Sequence, residues 1–334
     1  MVKNIFRSFI VLLLATIAMV IITPVLSFNE LLYPVRIDSA YLSQQQILHE
    51  KQMREKGKDS LGIFIYSPKQ LNIHYMNISY TLSDSVKLRG WMAIDTLRMQ
   101  APLLLIIPDI NEGAINYIPA MKQFCDRGFN VCVVNMRGQG DSEGIFYHPG
   151  NVSANDVKQL LLDLQKMPFI QHVALMGSGT GAGIAMKLVS DTAIAKVVIL
   201  QNPPSSLSHY FKDKAIERWG TYIIPILPAL IRSYEDQTGL LVKDYNYKEM
   251  ITEINIPQMM VAANFMHKKV MDETLEVYHA STWYKKRLYI DAKSYQQRTG
   301  TENSKIYYDK LAAFISSSLP PKSKKTRFRR LAVN

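Results

Sequence analysis

Hydrophobic and polar positions change rhythm several times along this chain of 334 residues. Residues 8–29, SFIVLLLATIAMVIITPVLSFN, carry no charged side chain. A helix of that length spans the roughly 30 Å hydrocarbon layer of a bilayer. Residues 38–58 are polar and helix-favouring, which suits a stalk. LNIHYMNISYTL and VKLRGWMAID then alternate apolar with polar and are rich in β-branched and aromatic residues, predicting two antiparallel strands joined at Ser83-Asp84-Ser85. Beyond them the apolar residues run together. PLLLIIP (102–108), NVCVVNMRG (130–138), HVALMG (172–177), AKVVIL (195–200), IPQMMVAAN (256–264) and RLYIDA (287–292) read as strands buried on both faces.

Between those runs the period becomes helical. Ile118, Met121 and Phe124 share one face; so do Val157, Leu160, Leu161 and Leu164, with Asn155 as the expected N-cap. SKIYYDKLAAFI aligns Tyr307, Leu311, Phe314 and Ile315. Strands alternating with helices at this spacing predict an α/β fold, a mostly parallel doubly wound sheet with right-handed crossovers. Residues 202–255 interrupt the alternation with amphipathic, proline-broken helical sequence, the pattern of a cap inserted between two strands. The expected organisation is therefore an anchor over 1–29, a stalk and linker over 30–71, one domain over 72–318 and a tail over 319–334.

Charge refines that picture at both ends. The net charge is +11, and the stretch PPKSKKTRFRRLAVN holds six Lys and Arg with no acid. Such a tail is solvated, or it touches an anionic surface where each cation contributes about 1 kcal/mol. Nothing else predicts a nucleic-acid partner. Lys3 and Arg7 precede the apolar segment and predict a cytoplasmic N-terminus with the domain on the other side. A cleaved signal peptide is the competing reading, but PVLSFNE lacks an A-x-A-like cleavage site. The two cysteines, Cys125 and Cys132, fall in core-type elements, so buried inert thiols are expected, with a local disulfide as the alternative. No His, Cys, Asp or Glu cluster shows metal-ligand spacing, and no cofactor is expected.

The chemistry turns on ALMGSGTGAG, residues 174–183. Gly177, Gly179 and Ala182 fit G-x-G-x-x-A between a strand and a helix, yet Gln201 stands where a dinucleotide site needs an acid. A different pattern accounts for more of the chain. VKLRGWMAID, LLLIIPDINEGAINY and FCDRGFNVCVVNMRGQGDSEG together resemble the α/β-hydrolase superfamily, and most nearly its membrane-anchored or secreted serine-hydrolase branch of esterase- and peptidase-like enzymes. Asn135–Gly144, NMRGQGDSEG, is similar to the family's loop after its fourth strand, D-x-R-G-x-G-x-S-x-G. TGLLVKDYNYKEMITEINIPQMMV resembles the path from the cap into the strand before the catalytic acid. The likeness covers residues 72–316.

What the resemblance implies is a serine on a strained strand–turn–helix elbow, a histidine base and an orienting carboxylate. This chain departs at every one of those places. Gly179 stands at the nucleophile position of Gly177–Gly181, Met266 at the acid, and Tyr295, or its neighbour Ser294, at the histidine. Pro108-Asp109 replaces the family's His-Gly of the oxyanion hole, leaving the amides of Ile110 and Thr180 with a carboxylate beside them, a poor neighbour for a developing oxyanion. Asp109 also reads simply as a loop residue capping the turn that follows. Ser178 is the alternative nucleophile, one place early, and His148 and His267 are the histidines nearest the expected site loops; each also reads as an ordinary loop histidine. The expected protein is a catalytically inactive pseudo-hydrolase with a ligand pocket around Asp109, Ile110, Ser178 and Thr180. It would bind a small acyl or peptide-like ligand or a protein partner at the membrane. The alternative is an active esterase or peptidase with non-standard catalytic residues.

Overall fold

In the computed structural model the described residues are 65–94, 100–110, 112–263, 268–291 and 302–320, with isolated positions before residue 52. Eight strands form one sheet: β1 Tyr75–Thr81, β2 Lys87–Ala93, β3 Ala101–Ile107, β4 Asn130–Val134, β5 Ile170–Ser178, β6 Val197–Gln201, β7 Gln258–Ala263 and β8 Lys286–Asp291. Their order is β1-β2-β4-β3-β5-β6-β7-β8. β1 and β2 pair antiparallel, and β2 meets β4 antiparallel; all pairs from β4 to β8 are parallel.

The continuous apolar runs become the central strands because both faces of the sheet are covered. Leu103 to Ile107 are all fully buried. Leu103, Leu105 and Ile107 point into one core and Leu104 and Ile106 into the other, the two-residue period of a strand. Helices α1 Ile118–Cys125 and α7 Glu302–Ser318 cover the second core. Helices α2 Asn151–Leu164, α3 Thr180–Asp191 and α6 Lys268–Ala280 cover the first. Each large side chain so buried contributes about 1.5–3 kcal/mol. Between β6 and β7 the chain runs through α4 Leu207–Trp219, α5 Leu227–Thr238 and short turns, and these pack their apolar side on the first core.

One helix start differs from its expectation. Asn155 lies inside α2, which begins a turn earlier at Asn151 after Gly150. The orphan amide of Asn151 is met instead by the Tyr245 hydroxyl at 3.0 Å, a tertiary contact that local capping rules do not anticipate. Cys132 is buried in β4 and Cys125 partly buried, and no disulfide joins them. Burial pushes the Cys132 thiol up to about 12. The apolar segment 8–29 apart from Ile10, most of the stalk and the basic residues of the tail lie outside the described residues. Among the described residues no helix is long and apolar enough to cross a membrane.

Candidate functional site

Two loops meet at the carboxyl end of the sheet, where open α/β sheets place their ligands. β3 and β5 run parallel in a register that pairs Ile107 with Gly177. Two residues beyond those partners stand Asp109 and Gly179. Gly179 turns from β5 into α3 at φ 52° and ψ −119°, a conformation that favours glycine. Close packing of that helix on the strands also needs Gly181, whose position leaves 2.3 Å between a would-be Cβ and the Ile107 carbonyl oxygen. The strand-to-helix turn is therefore built around a glycine at position 179.

The space a side chain at position 179 would need is taken. A Cβ on Gly179 would lie 2.5 Å from Asp109 Cγ and 2.6 Å from each of its carboxyl oxygens. The carboxyl of Asp109 thus fills the volume of a nucleophile's side chain. Its Oδ1 accepts the backbone N–H of Ile110 and of Thr180, each at 2.8 Å, and the Thr180 hydroxyl at 2.5 Å. Those two amides are the pair the resemblance assigns to an oxyanion hole, and here an internal carboxyl occupies them. Its place at the first turn of α3 suits the partial positive charge of a helix N-terminus. Burial, then the nearby Glu112, nevertheless push the carboxyl above the usual carboxylate range, against the bonds from Thr180 and Ile110.

Around this carboxyl the polar groups interlock. Because the Thr180 hydroxyl gives its proton to Asp109, Tyr147 donates to Thr180 Oγ1 at 3.1 Å. The Tyr210 hydroxyl approaches both Asp109 oxygens at 3.4 Å. Burial, and then Asp109, raise both phenols well above their ordinary range. Gln139, wholly buried, donates through Nε2 to the carbonyls of Asp109, Ile110 and Glu112 at 2.7, 3.2 and 3.0 Å. The hydrolase-like loop thus holds the β3 loop in place, and the rest of that motif is structural too. Asn135 accepts the Ala114 amide at 2.7 Å. Arg137 makes a two-pronged pair with Asp156 of α2 at 2.5 and 2.8 Å.

A cleft of about 470 Å³ opens between the sheet end and the cap helix α4. Asp109, Ser178 and Gly179 form part of its floor. Of the four residues expected around a pocket, Asp109 and Ser178 line it, whereas Ile110 and Thr180 are buried behind the carboxyl. Ser178 ends β5 opposite Gln201, and no histidine is among the described residues lining the cleft. His148 is buried elsewhere, with its pKa lowered by burial to about 4. Gln201, the residue that spoils the dinucleotide pattern, donates its amide to Tyr307 and faces the second core. Met266, His267, Ser294 and Tyr295 lie outside the described residues. Among the described residues no group of His, Cys, Asp or Glu has the arrangement of a metal site.

The cleft wall holds a carboxylate pair that sequence reading missed. Glu273 of α6 accepts the Ser205 amide at 3.2 Å and shares a hydrogen bond with Asp213 of α4, which is ion-paired to Lys269. One carboxylate lies in the cap helix α4 and the other in α6 beyond β7, so no local spacing announces them. Burial raises Glu273 to about 7. The folded state therefore holds this proton more tightly than the unfolded chain, and stability falls as pH rises from 4.5 through about 7. Glu273→Gln removes that loss. Thermal denaturation is expected to show the variant about 2–4 °C more stable than the parent well above pH 7, a gain kept small by screening at a half-exposed group. The difference should vanish below the ordinary glutamate range.

The parallel sheet, the elbow at Gly179 and the cap between β6 and β7 define an α/β-hydrolase fold. Solved structures agree on the fold. An esterase of Pyrococcus furiosus aligns with a TM-score of 0.58 at 19% identity, covering 76% of this chain and 96% of its own. An α/β hydrolase from a Penicillium species aligns at 0.56 and 16%, covering 74% and 99%. An esterase of Butyrivibrio proteoclasticus with ferulic acid bound aligns at 0.53 and 12%, covering 72% and 99%. More particularly, residues 100–271 match the serine aminopeptidase S33 family, and the chain belongs to it. No curated protein matches this sequence.

Proposed function

We propose that this protein is a pseudo-hydrolase, held at a membrane by residues 8–29, that binds a small ligand in the cleft between sheet and cap. The observation that carries the reading is the placement of Asp109, whose carboxyl takes both amides of the oxyanion hole and the volume of the nucleophile. A tetrahedral oxyanion needs those donors free, and loss of one such donor alone slows acyl transfer about 10²–10³-fold. Gly179 supplies no nucleophile, and Met266 and Tyr295 supply neither carboxylate nor imidazole at the places the resemblance gives them. A fold stripped of its triad still keeps a concave, mostly apolar cleft with a few polar groups, which is what a ligand site requires.

The test offers the full-length chain short-chain p-nitrophenyl esters and a fluorophosphonate probe, with Ser178→Ala as the paired control. No turnover above the uncatalysed rate and no covalent label is the expected result. Label that disappears in Ser178→Ala would make Ser178 a working nucleophile and overturn the reading.

A further inference from the structure

The cleft is acidic in a way its own residues do not balance. Its two lysines are engaged locally, Lys214 with Glu217 at 2.9 Å and Lys269 with Asp213. Asp109 has only neutral donors, and Glu273 has the Ser205 amide, a hydrogen bond shared with Asp213 and the field of Lys269, a cation already paired to Asp213; neither makes a salt bridge among the described residues. In Asp109 the asymmetry is sharp. Oδ1 holds two amides and the Thr180 hydroxyl, whereas among the described residues Oδ2 receives only the Tyr210 hydroxyl at 3.4 Å, which it shares with Oδ1, and Asp109 lines the cleft. A buried carboxyl without a counter-charge is costly, and a cation brought to it recovers that cost.

A second observation points the same way. Ser178 is only 4% exposed, its hydroxyl makes no hydrogen bond to the described residues, and it lines the same cleft. An unused hydroxyl beside unbalanced carboxyls offers a further acceptor to an N–H donor. The walls are of another character: Pro203, Pro204, Ile216 and Val270 are apolar, and the Tyr210 ring adds a face that attracts cations.

We propose that the cleft binds a small organic ammonium ion carrying an apolar substituent, its nitrogen held by Asp109 Oδ2, Glu273 and the Ser178 hydroxyl. The inference rests on the ligand-binding reading above and reverses the polarity of the site. The floor of a hydrolase cleft receives a developing oxyanion; this floor, filled by a carboxyl, receives a positive charge and repels a carboxylate ligand. The apolar substituent lies along the proline and aliphatic wall.

Titration calorimetry on the full-length chain in detergent, with three matched probes, tests this. Phenethylammonium is expected to bind at least about tenfold more tightly than 2-phenylethanol, with 3-phenylpropanoate weakest, since a hydrogen bond between charged groups contributes about 1.5–3 kcal/mol. Asp109→Asn keeps the shape of the carboxyl and should weaken phenethylammonium about tenfold or more; Glu273→Gln is the independent second variant and should do the same. Equal or tighter binding of the alcohol or the carboxylate overturns the ammonium proposal while leaving a ligand-binding cleft. Unchanged affinity in both variants overturns it as well. Failure of all three probes to bind a folded chain overturns the proposal and the small-ligand reading together.

Discussion

Gly179→Ser is expected to destabilise this protein, although it puts a serine at the turn from β5 into α3. The new Cβ would stand 2.5 Å from Asp109 Cγ, closer than non-bonded carbons approach, so the carboxyl must leave the hole. Its departure strips the Thr180 amide of its acceptor and leaves the Ile110 amide only the Thr180 hydroxyl oxygen at 3.0 Å. A buried N–H left without a partner costs about 1–3 kcal/mol, and a non-glycine residue held at this φ and ψ costs a further 1–3 kcal/mol or so. For a domain of this size the sum corresponds to a fall of about 10 °C or more in Tm. Asp109→Gly in the same chain removes the obstacle. The double variant should recover much of the loss, with a coupling of about 2 kcal/mol between the two positions. Thermal denaturation of the four chains reads this directly. A Gly179→Ser chain as stable as the parent would mean that Asp109 does not occupy the nucleophile's volume.

Arg137→Ala should be comparably damaging, for a reason unconnected with the cleft. The Asp156 side chain is 2% exposed, and Arg137 is its ion-pair partner. Burial holds Asp156 above the usual carboxylate range even with the guanidinium beside it. Removing the cation strands a buried carboxylate, and breaking a buried pair from one side costs about 3–5 kcal/mol. The second partner, Asp84, is half exposed, so its share is small. Arg137→Lys should lose a large part of the same stability, because one ammonium cannot replace the two parallel bonds. Removing both charges, as Arg137→Met with Asp156→Leu, should cost much less than Arg137→Ala alone. Urea denaturation gives the ranking. If the single and double variants prove equally unstable, the pair is not what holds the loop to α2.

Both expectations come from residues whose type was visible in the sequence and whose partners were not. Arg137 was legible as part of NMRGQGDSEG, and the structure gives it a buried carboxylate on α2 rather than a role in the cleft. Asp109 was legible as a misplaced carboxyl beside two amides. In the structure one Asp109 oxygen both caps its own neighbour Ile110 and reaches the remote Thr180. Glu273 gave no signal, because its neighbours Asp213 and Ser205 lie 60 and 68 residues away.

By itself the sequence determined the sheet, its covered faces and the glycine at position 179. Continuous apolar runs must be buried on both sides, amphipathic helices must do the burying, and a glycine at position 179 has no hydroxyl in any fold. Those are properties of residue type and short-range period. Where the Asp109 carboxyl goes is a different kind of fact. It follows from the parallel register of β3 and β5, which sets two loop ends side by side that are about 70 residues apart in the chain. The charge balance of the cleft likewise exists only once the cap helix α4 lies against α6. Tertiary structure decided those points because distances of a few ångströms between remote side chains set both the hydrogen bonds and the electrostatics.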